Sequence, residues 1–345
     1  MSASDSFLDR EIREQPAAIA RLLDRASEIA RVAHALEGRQ LRYAVIAARG
    51  TSDNAARYGQ YLLGDRLGLP VALAAPSLES LYGARAVPHH GEGLVICISQ
   101  SGRSPDIVAV ARAAAAAGAP TIAITNDGGS PLAGAAGHVI ELHAGPEESV
   151  AATKTYTTAL AALAALVAEM RGGREDRAAL QAVPFVVERV LQDTFVAAET
   201  LDRYADLRHV VAIGRGYNYG TATEIALKIR ELTGAIGEGF SSADLLHGPI
   251  AALDPRDTLA IAVAVQGKAR ASVLETTEAV RARGVHAVFI ADERDADLPL
   301  PSPLPEWLSP LVAIVPGQVL ALRRAVLAGG SIDRPGGLSK VTETL

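Results

Sequence analysis

Two short stretches concentrate the chain's hydroxyl and amide side chains. One is Ser99-Gln100-Ser101-Gly102-Arg103-Ser104, directly after the apolar run at residues 94–98. The other is Gly50-Thr51-Ser52, directly after an apolar run at 42–48. A buried strand that ends in a Ser/Gly-rich turn and opens a helix gathers N–H groups, hydroxyls and the positive end of a helix dipole around one point. That chemistry holds a dianion, most naturally a phosphate. An ordinary helix cap uses one hydroxyl, and Ser99, Gln100, Ser101 and Ser104 exceed it. Thr51 and Ser52 would converge on the same anion if their strands are neighbours. Neither turn contains a lysine, so neutral donors and the dipole would do the binding.

A second group suits proton transfer. Glu224, Lys228 and Glu231 fall at i, i+4 and i+7 and share one helix face. Such a face is commonly an exposed salt-bridge ladder. The flanking TEIALKIRELTG is apolar enough to take at least one carboxylate out of water, and a desolvated carboxylate is a usable general base. His247 precedes Gly248-Pro249 in a restricted loop, which holds its ring rather than leaving it free. Lys340 sits in a tail, residues 333–345, whose mix of apolar and capping residues suggests docking. A lysine docked near a carbonyl could form a Schiff base. Residue types alone reach a phosphate ligand and an acid/base helix.

The elements that must position these groups alternate between short apolar runs and helical patterns. Strands are expected at 42–48, 70–75, 94–98, 121–125 and 139–142, with helices between them and a long helix from 150 to 170. Two helices separated near Pro16 precede them. After a charged, Gly-containing break at 171–176, the best linker candidate, a helix is expected at 187–204. Further strands are expected at 209–213, 235–240, 258–265, 286–290 and 311–315, the last followed by a helix to 327. The helix after 209–213 spans 219–232, a helical turn 242–246 and another helix 272–284. This pattern predicts an α/β protein of two tandem flavodoxin-like domains, each a doubly wound parallel sheet. The halves look like a repeat in which Arg215-Gly216-Tyr217-Asn218 matches Arg49-Gly50-Thr51-Ser52. The second counterpart of the phosphate turn, Val265-Gln266-Gly267-Lys268, has lost every serine.

Composition narrows the class. The 345 residues are 49% hydrophobic but only 4% aromatic, with a net charge of −6. This suits Ala/Val/Leu/Ile helices on parallel strands, and argues against nucleic acid or an anionic membrane as a partner. The single cysteine, Cys97, excludes an internal disulfide framework and a cysteine metal cluster, and fits a reducing cytoplasm. No signal peptide is read at the start. The most apolar helical stretch, 159–170, is too short to span a bilayer.

These motifs resemble the sugar isomerase (SIS) family, in particular the isomerase half of glucosamine-6-phosphate synthase. Residues 11–16 (EIREQP), Gly50-Thr51-Ser52, Ser99-Gln100-Ser101-Gly102, 148–154 (ESVAATK), 224–231, His247-Gly248-Pro249 and Leu338-Ser339-Lys340 match in order and with similar spacing. The resemblance implies N-terminal helices at 1–38, a sugar-phosphate-binding SIS domain at 39–172 and a second, carrying the acid/base helix, at 180–330. A tail at 331–345 would close the active site. It implies that Thr51, Ser52, Ser99, Gln100, Ser101 and Ser104 hold the sugar phosphate, with Val150, Ala151 and Ser339 also lining the site. Glu231 would move a proton between C1 and C2 beside Glu224 and Lys228. His247 would open the ring across a homodimer interface, and Lys340 would meet the sugar carbonyl. No cofactor or metal is implied.

The departures are informative. No glutaminase segment with its N-terminal cysteine is read ahead of residue 10. The ending PGGLSKVTETL and the turn ARGTSD look more like the stand-alone deaminase branch. The expected reaction is 2-amino-2-deoxy-hexose 6-phosphate plus water giving ketose 6-phosphate and ammonia. An ammonia-using or pure isomerase, a deglycase acting on an amino-acid conjugate, and a non-catalytic sugar-phosphate sensor remain as alternatives. The sequence does not separate gluco from galacto substrates.

Overall fold

The computed structural model describes residues 6–84, 86, 92–294, 296–301 and 304–340. It divides into two compact units. One comprises Ala17–Glu147, Lys154–Gln181 and, from Ser339, the last described residues. The other comprises the described residues up to Pro16, Glu148–Thr153 and Ala182–Leu338.

The first unit is built on β1 (Tyr43–Ala47), β2 (Val71–Leu73), β3 (Gly93–Ile98), β4 (Thr121–Thr125) and β5 (His138–Glu141). They pair in parallel in the order β2-β1-β3-β4-β5. The order reverses between β1 and β3, where Ala47 lies opposite Cys97. Every residue of β3 is buried, as a continuous apolar run in a doubly covered sheet should be. Burial pushes the Cys97 thiol up to about 12 from its ordinary 9.0, so it stays protonated and is no nucleophile near neutral pH.

The second unit is built on β6 (His209–Gly214), β7 (Ile236–Ser241), β8 (Thr258–Val263), β9 (His286–Ala291) and β10 (Leu298–Pro299). Its order, β7-β6-β8-β9-β10, is that of the first sheet. Both sheets are α/β and parallel, as the alternation of elements predicts.

Each sheet is flanked by a helix that is buried along most of its length. In the helix Lys154–Arg171, every residue from Lys154 to Ala168 is buried, against the helices Ala26–Ala35 and Thr51–Leu67. In the helix Ser309–Ala328, every residue from Ser309 to Leu322 is buried, against Val183–Glu199 and Tyr219–Thr233. Each fully buried Leu, Ile or Val contributes roughly 1.5–3 kcal/mol. The stretch Glu306–Ala328 is long and apolar enough to cross a membrane, but 78% of its most apolar window is inside the fold.

Several expectations are corrected. Residues 311–315 are not a strand but lie inside the helix Ser309–Ala328. A short apolar run reads the same in a buried strand and a buried helix. The fifth strand is instead β10, two residues at the sheet edge, where a proline costs no ladder bond. Three helices, not two, open the chain: Phe7–Arg13, Gln15–Leu23 and Ala26–Ala35, with Pro16 inside the first turn of the second. The long helix starts at Lys154 rather than 150. Residues 171–176 end one helix and begin another, Arg174–Gln181.

Candidate active site

The turn at Ser99–Ser104 is braced by its own side chains and by β4. Ser99 Oγ accepts from the Gly102 N–H at 3.2 Å, and Ser101 Oγ from Arg103 N–H at 3.3 Å. The Gln100 carbonyl accepts from Asn126 N–H at 3.0 Å and Thr125 Oγ1 at 3.2 Å. Gly102 has φ +63°, and a Cβ there would lie 2.1 Å from Ser130 Oγ, so no other residue fits. Ser104 stands at the N-cap of the helix Pro105–Ala116 without a side-chain capping bond. The turn therefore does more than cap its helix.

Arg49, just before Gly50-Thr51-Ser52, reaches the fully buried Asp106 in the first turn of that helix, Nε to Oδ2 at 2.7 Å. Asp106 Oδ1 accepts from its neighbour Ile107 N–H at 2.8 Å. This ion pair ties the helix after β1 to the helix after β3. Thr51 and Ser52, half-buried at the start of the helix Thr51–Leu67, are thereby held at the same sheet edge as Ser99–Ser104. Two helix N-termini and the hydroxyls of Thr51, Ser52, Ser99, Ser101 and Ser104 thus stand at the carboxyl ends of the neighbouring strands β1 and β3, at the topological switch point.

The helix expected to carry the acid/base residues is Tyr219–Thr233. The Lys228 and Glu224 side chains are 1% and 0% exposed, and Lys228 Nζ lies 3.4 Å from Glu224 Oε1. Lys228 also donates to Glu231 Oε2, and Glu231 is 23% exposed. An exposed ladder is thus excluded: two members are desolvated and the third meets space. Glu231 lines a cavity of about 370 Å³, with Arg230 and Gly234 beside it and Gly330, Pro335 and Leu338 opposite.

The tail that walls this cavity is anchored within the same unit. The Asp333 carboxylate accepts from Phe7 and Leu8 N–H at 3.0 and 2.9 Å, and its carbonyl accepts from Val150 N–H at 3.0 Å. Glu11 accepts from the N–H groups of Glu148 and Ser149. These contacts fix the segment carrying half-buried Val150 and buried Ala151. His247 is exposed at the C-cap of the helix Ser242–Leu246.

Beyond exposed Ser339, Lys340 belongs to the first unit. Its Nζ donates to Glu147 Oε2 at 2.8 Å, and the Glu147 side chain is fully buried. Glu147 also accepts from Thr155 N–H at 3.0 Å and Thr155 Oγ1 at 2.7 Å. The phosphate turns and Lys340 therefore fall in one unit, and Glu224, Lys228, Glu231, Val150, Ala151 and His247 in the other. Sequence reasoning missed Arg49, Asp106 and Glu147. Glu147 lies next to the ESVAATK motif, and Arg49 begins ARGTSD, so both were within reach of the local pattern.

The second unit's turn after β8 holds carboxylates of its own chain. Gln266 N–H donates to Asp292 at 3.1 Å, and Lys268 and Ala269 N–H donate to Glu306 at 2.8 and 3.2 Å.

Two parallel sheets of identical order, one with a hydroxyl-rich turn at its switch point and the other with a buried carboxylate–lysine helix beside it, define a doubly repeated, doubly wound α/β architecture. The SIS domain profile matches residues 39–169 and 203–300, and the chain belongs to the SIS domain family. It is 37% identical to the glutamine–fructose-6-phosphate aminotransferase (isomerizing) of Methanothermobacter thermautotrophicus, over 97% of this chain and 57% of that protein. The chain thus spans little more than half the length of the curated relatives it matches. A crystal structure from Silicibacter pomeroyi, provisionally named as a phosphosugar isomerase, superposes with a TM-score of 0.81 at 35% identity, over 95% of this chain and 99% of that one. The glucosamine-6-phosphate deaminase of Thermotoga maritima shares the fold, with a TM-score of 0.81 at 21% identity, over 98% of this chain and all of that one.

Proposed function

We propose that this chain is a sugar-phosphate aldose–ketose isomerase that acts on a 2-amino-2-deoxyhexose 6-phosphate and releases ammonia. The observation that carries the reading is the buried Glu224–Lys228 pair presenting Glu231 to a cavity. The proposal assigns the phosphate to Thr51, Ser52, Ser99, Gln100, Ser101 and Ser104, where neutral donors and two helix N-termini offset a dianion. Val150, Ala151 and Ser339 are assigned to the sugar by resemblance of their motifs.

The chemistry starts with the ring closed. His247 opens it by shuttling a proton between the anomeric hydroxyl and the ring oxygen, in the site of a partner subunit. The reading thus includes a homodimer, tested by mixing His247→Ala and Glu231→Gln chains under subunit exchange. Glu231 takes the proton from C2 and returns it to C1. One amine proton passes to O1 as the amine at C2 becomes an imine, water adds to C2, and ammonia leaves with fructose 6-phosphate formed. Lys228 steadies the Glu231 carboxylate between the two transfers. The names of the relatives support the isomerase step. The tail PGGLSKVTETL and the turn ARGTSD support the ammonia-releasing direction by resemblance.

Incubation with glucosamine 6-phosphate should release ammonia and fructose 6-phosphate. Glu231→Gln should lower kcat by about 10²–10⁴-fold with little change in KM, and abolish C2 proton exchange with deuterated water. Exchange at the wild-type rate in that variant would assign the base elsewhere. Isomerisation without ammonia would reduce the reading to a plain isomerase, and binding without turnover to a sensor.

A further inference from the structure

Lys340 is held by a carboxylate 193 residues away in sequence, that of Glu147. We infer that Glu147 is the positioning residue that aims Lys340 and accepts its proton when the lysine adds to a sugar carbonyl. The inference rests on the role at the sugar carbonyl that the family resemblance gives Lys340.

The geometry separates this from an ordinary tail contact. Glu147 is fully buried at its side chain, whereas Lys340 is 23% exposed, so the carboxylate is the fixed member and the ammonium the reaching one. The carboxylate is itself oriented. Oε1 takes the Thr155 N–H at the start of the helix Lys154–Arg171, and Oε2 takes the Thr155 hydroxyl at 2.7 Å and Lys340 Nζ at 2.8 Å. Two donors on a rigid helix start thus set the direction in which Oε2 points, and Oε2 sets where Nζ sits. A long lysine side chain would otherwise spread over many rotamers, and holding it removes that entropic cost from the reaction.

The paired carboxylate also suits the chemistry. An ammonium cannot attack a carbonyl. Transfer of one proton from Nζ to Glu147 Oε2 frees the nitrogen lone pair, which bonds to the carbonyl carbon while the C=O π pair moves to oxygen. Glu147 returns that proton to the oxygen. A second nitrogen proton then follows the same path, the C–O bond breaks, and water leaves. The third proton stays on the iminium nitrogen, so charge and atoms balance and Glu147 ends as it began.

Glu147 also closes the first turn of its helix, so a purely structural role must be distinguished. The test is reductive trapping with cyanoborohydride and fructose 6-phosphate, the adduct being mapped by peptide mass, alongside kinetics and thermal unfolding. Wild type should be labelled at Lys340. Glu147→Gln keeps an acceptor for Thr155 N–H, and should slow trapping and kcat by about 10–100-fold while KM changes less than about threefold. Glu147→Asp should recover part of the trapping rate. If Glu147→Gln does not fold, Thr155→Val reads the same contact and should slow trapping by about 2–5-fold, the loss expected of one oriented hydrogen bond. Trapping at the wild-type rate in a folded Glu147→Gln chain, or in Thr155→Val where that is the only folded variant, overturns the inference and leaves the role of Lys340 intact. A wild type that releases ammonia yet shows no adduct at Lys340 overturns the role of Lys340 itself.

Discussion

Lys228 shows what a residue type means once its surroundings are known. On spacing alone it belongs to an i, i+4 ladder worth a few tenths of a kcal/mol. Buried to 1% exposure between Glu224 and Glu231, it instead neutralises a carboxylate that has no access to water. Removing one partner of a buried pair leaves the other charge desolvated, at a cost of about 3–5 kcal/mol. Lys228→Met should therefore lower the unfolding free energy by about that amount in denaturant titrations. The double variant Lys228→Met with Glu224→Gln should recover most of the loss, because no buried charge remains. If the double variant is as unstable as the single one, the pair is not what stabilises the helix. The hydroxyl-rich turn was legible in the sequence because all its members are local. Arg49–Asp106 and Glu147–Lys340 were not, because their partners stand 57 and 193 positions apart and only the strand order of the first unit and the course of the tail bring them together.

At the scale of elements, the strands and helices that follow period and punctuation were readable, and the one strand misread had a clear cause. Residues 311–315 are apolar at every position and precede Pro316, which reads as a buried strand followed by a helix to 327. The structure carries the helix straight through Pro316 because that stretch is buried on all sides and needs no amphipathic period. At the next residue, Gly317, the helix Ser309–Ala328 presses against the acid/base helix. A Cβ there would lie 2.4 Å from Ile225 Cγ1, and Ile225 is the neighbour of Glu224. Gly317→Ala should thus overpack the contact and cost about 1–3 kcal/mol. It should also reduce kcat by displacing the helix that carries Glu231. Adding Ile225→Ala removes the clashing atoms and should restore part of both. A Gly317→Ala chain with wild-type melting temperature and kcat would show that the two helices yield freely.

Across the whole chain, two sheets of the same strand order have taken different parts, and the turn after the third strand of each shows why. In the first sheet that turn offers Ser99, Ser101 and Ser104 beside a helix N-terminus. In the second sheet, the N–H groups of Lys268 and Ala269 already hold the Glu306 carboxylate, and Gln266 N–H holds Asp292. The loss of serines in Val265-Gln266-Gly267-Lys268 was visible in the sequence. The carboxylates that fill the turn were not, because Glu306 stands 38 residues beyond it. A backbone nest satisfied by an internal anion has no donors left for an external one. The chain should consequently bind one equivalent of sugar 6-phosphate, not two, in a calorimetric titration. Ser101→Ala with Ser104→Ala should weaken that single event, each lost charge-assisted bond costing on the order of 1.5–3 kcal/mol. Glu306→Gln should leave its affinity unchanged, since the two turns belong to separate sheets. A second equivalent that survives the serine substitutions and responds to Glu306→Gln would show that the carboxylate yields its place to phosphate, and that both halves still bind the anion.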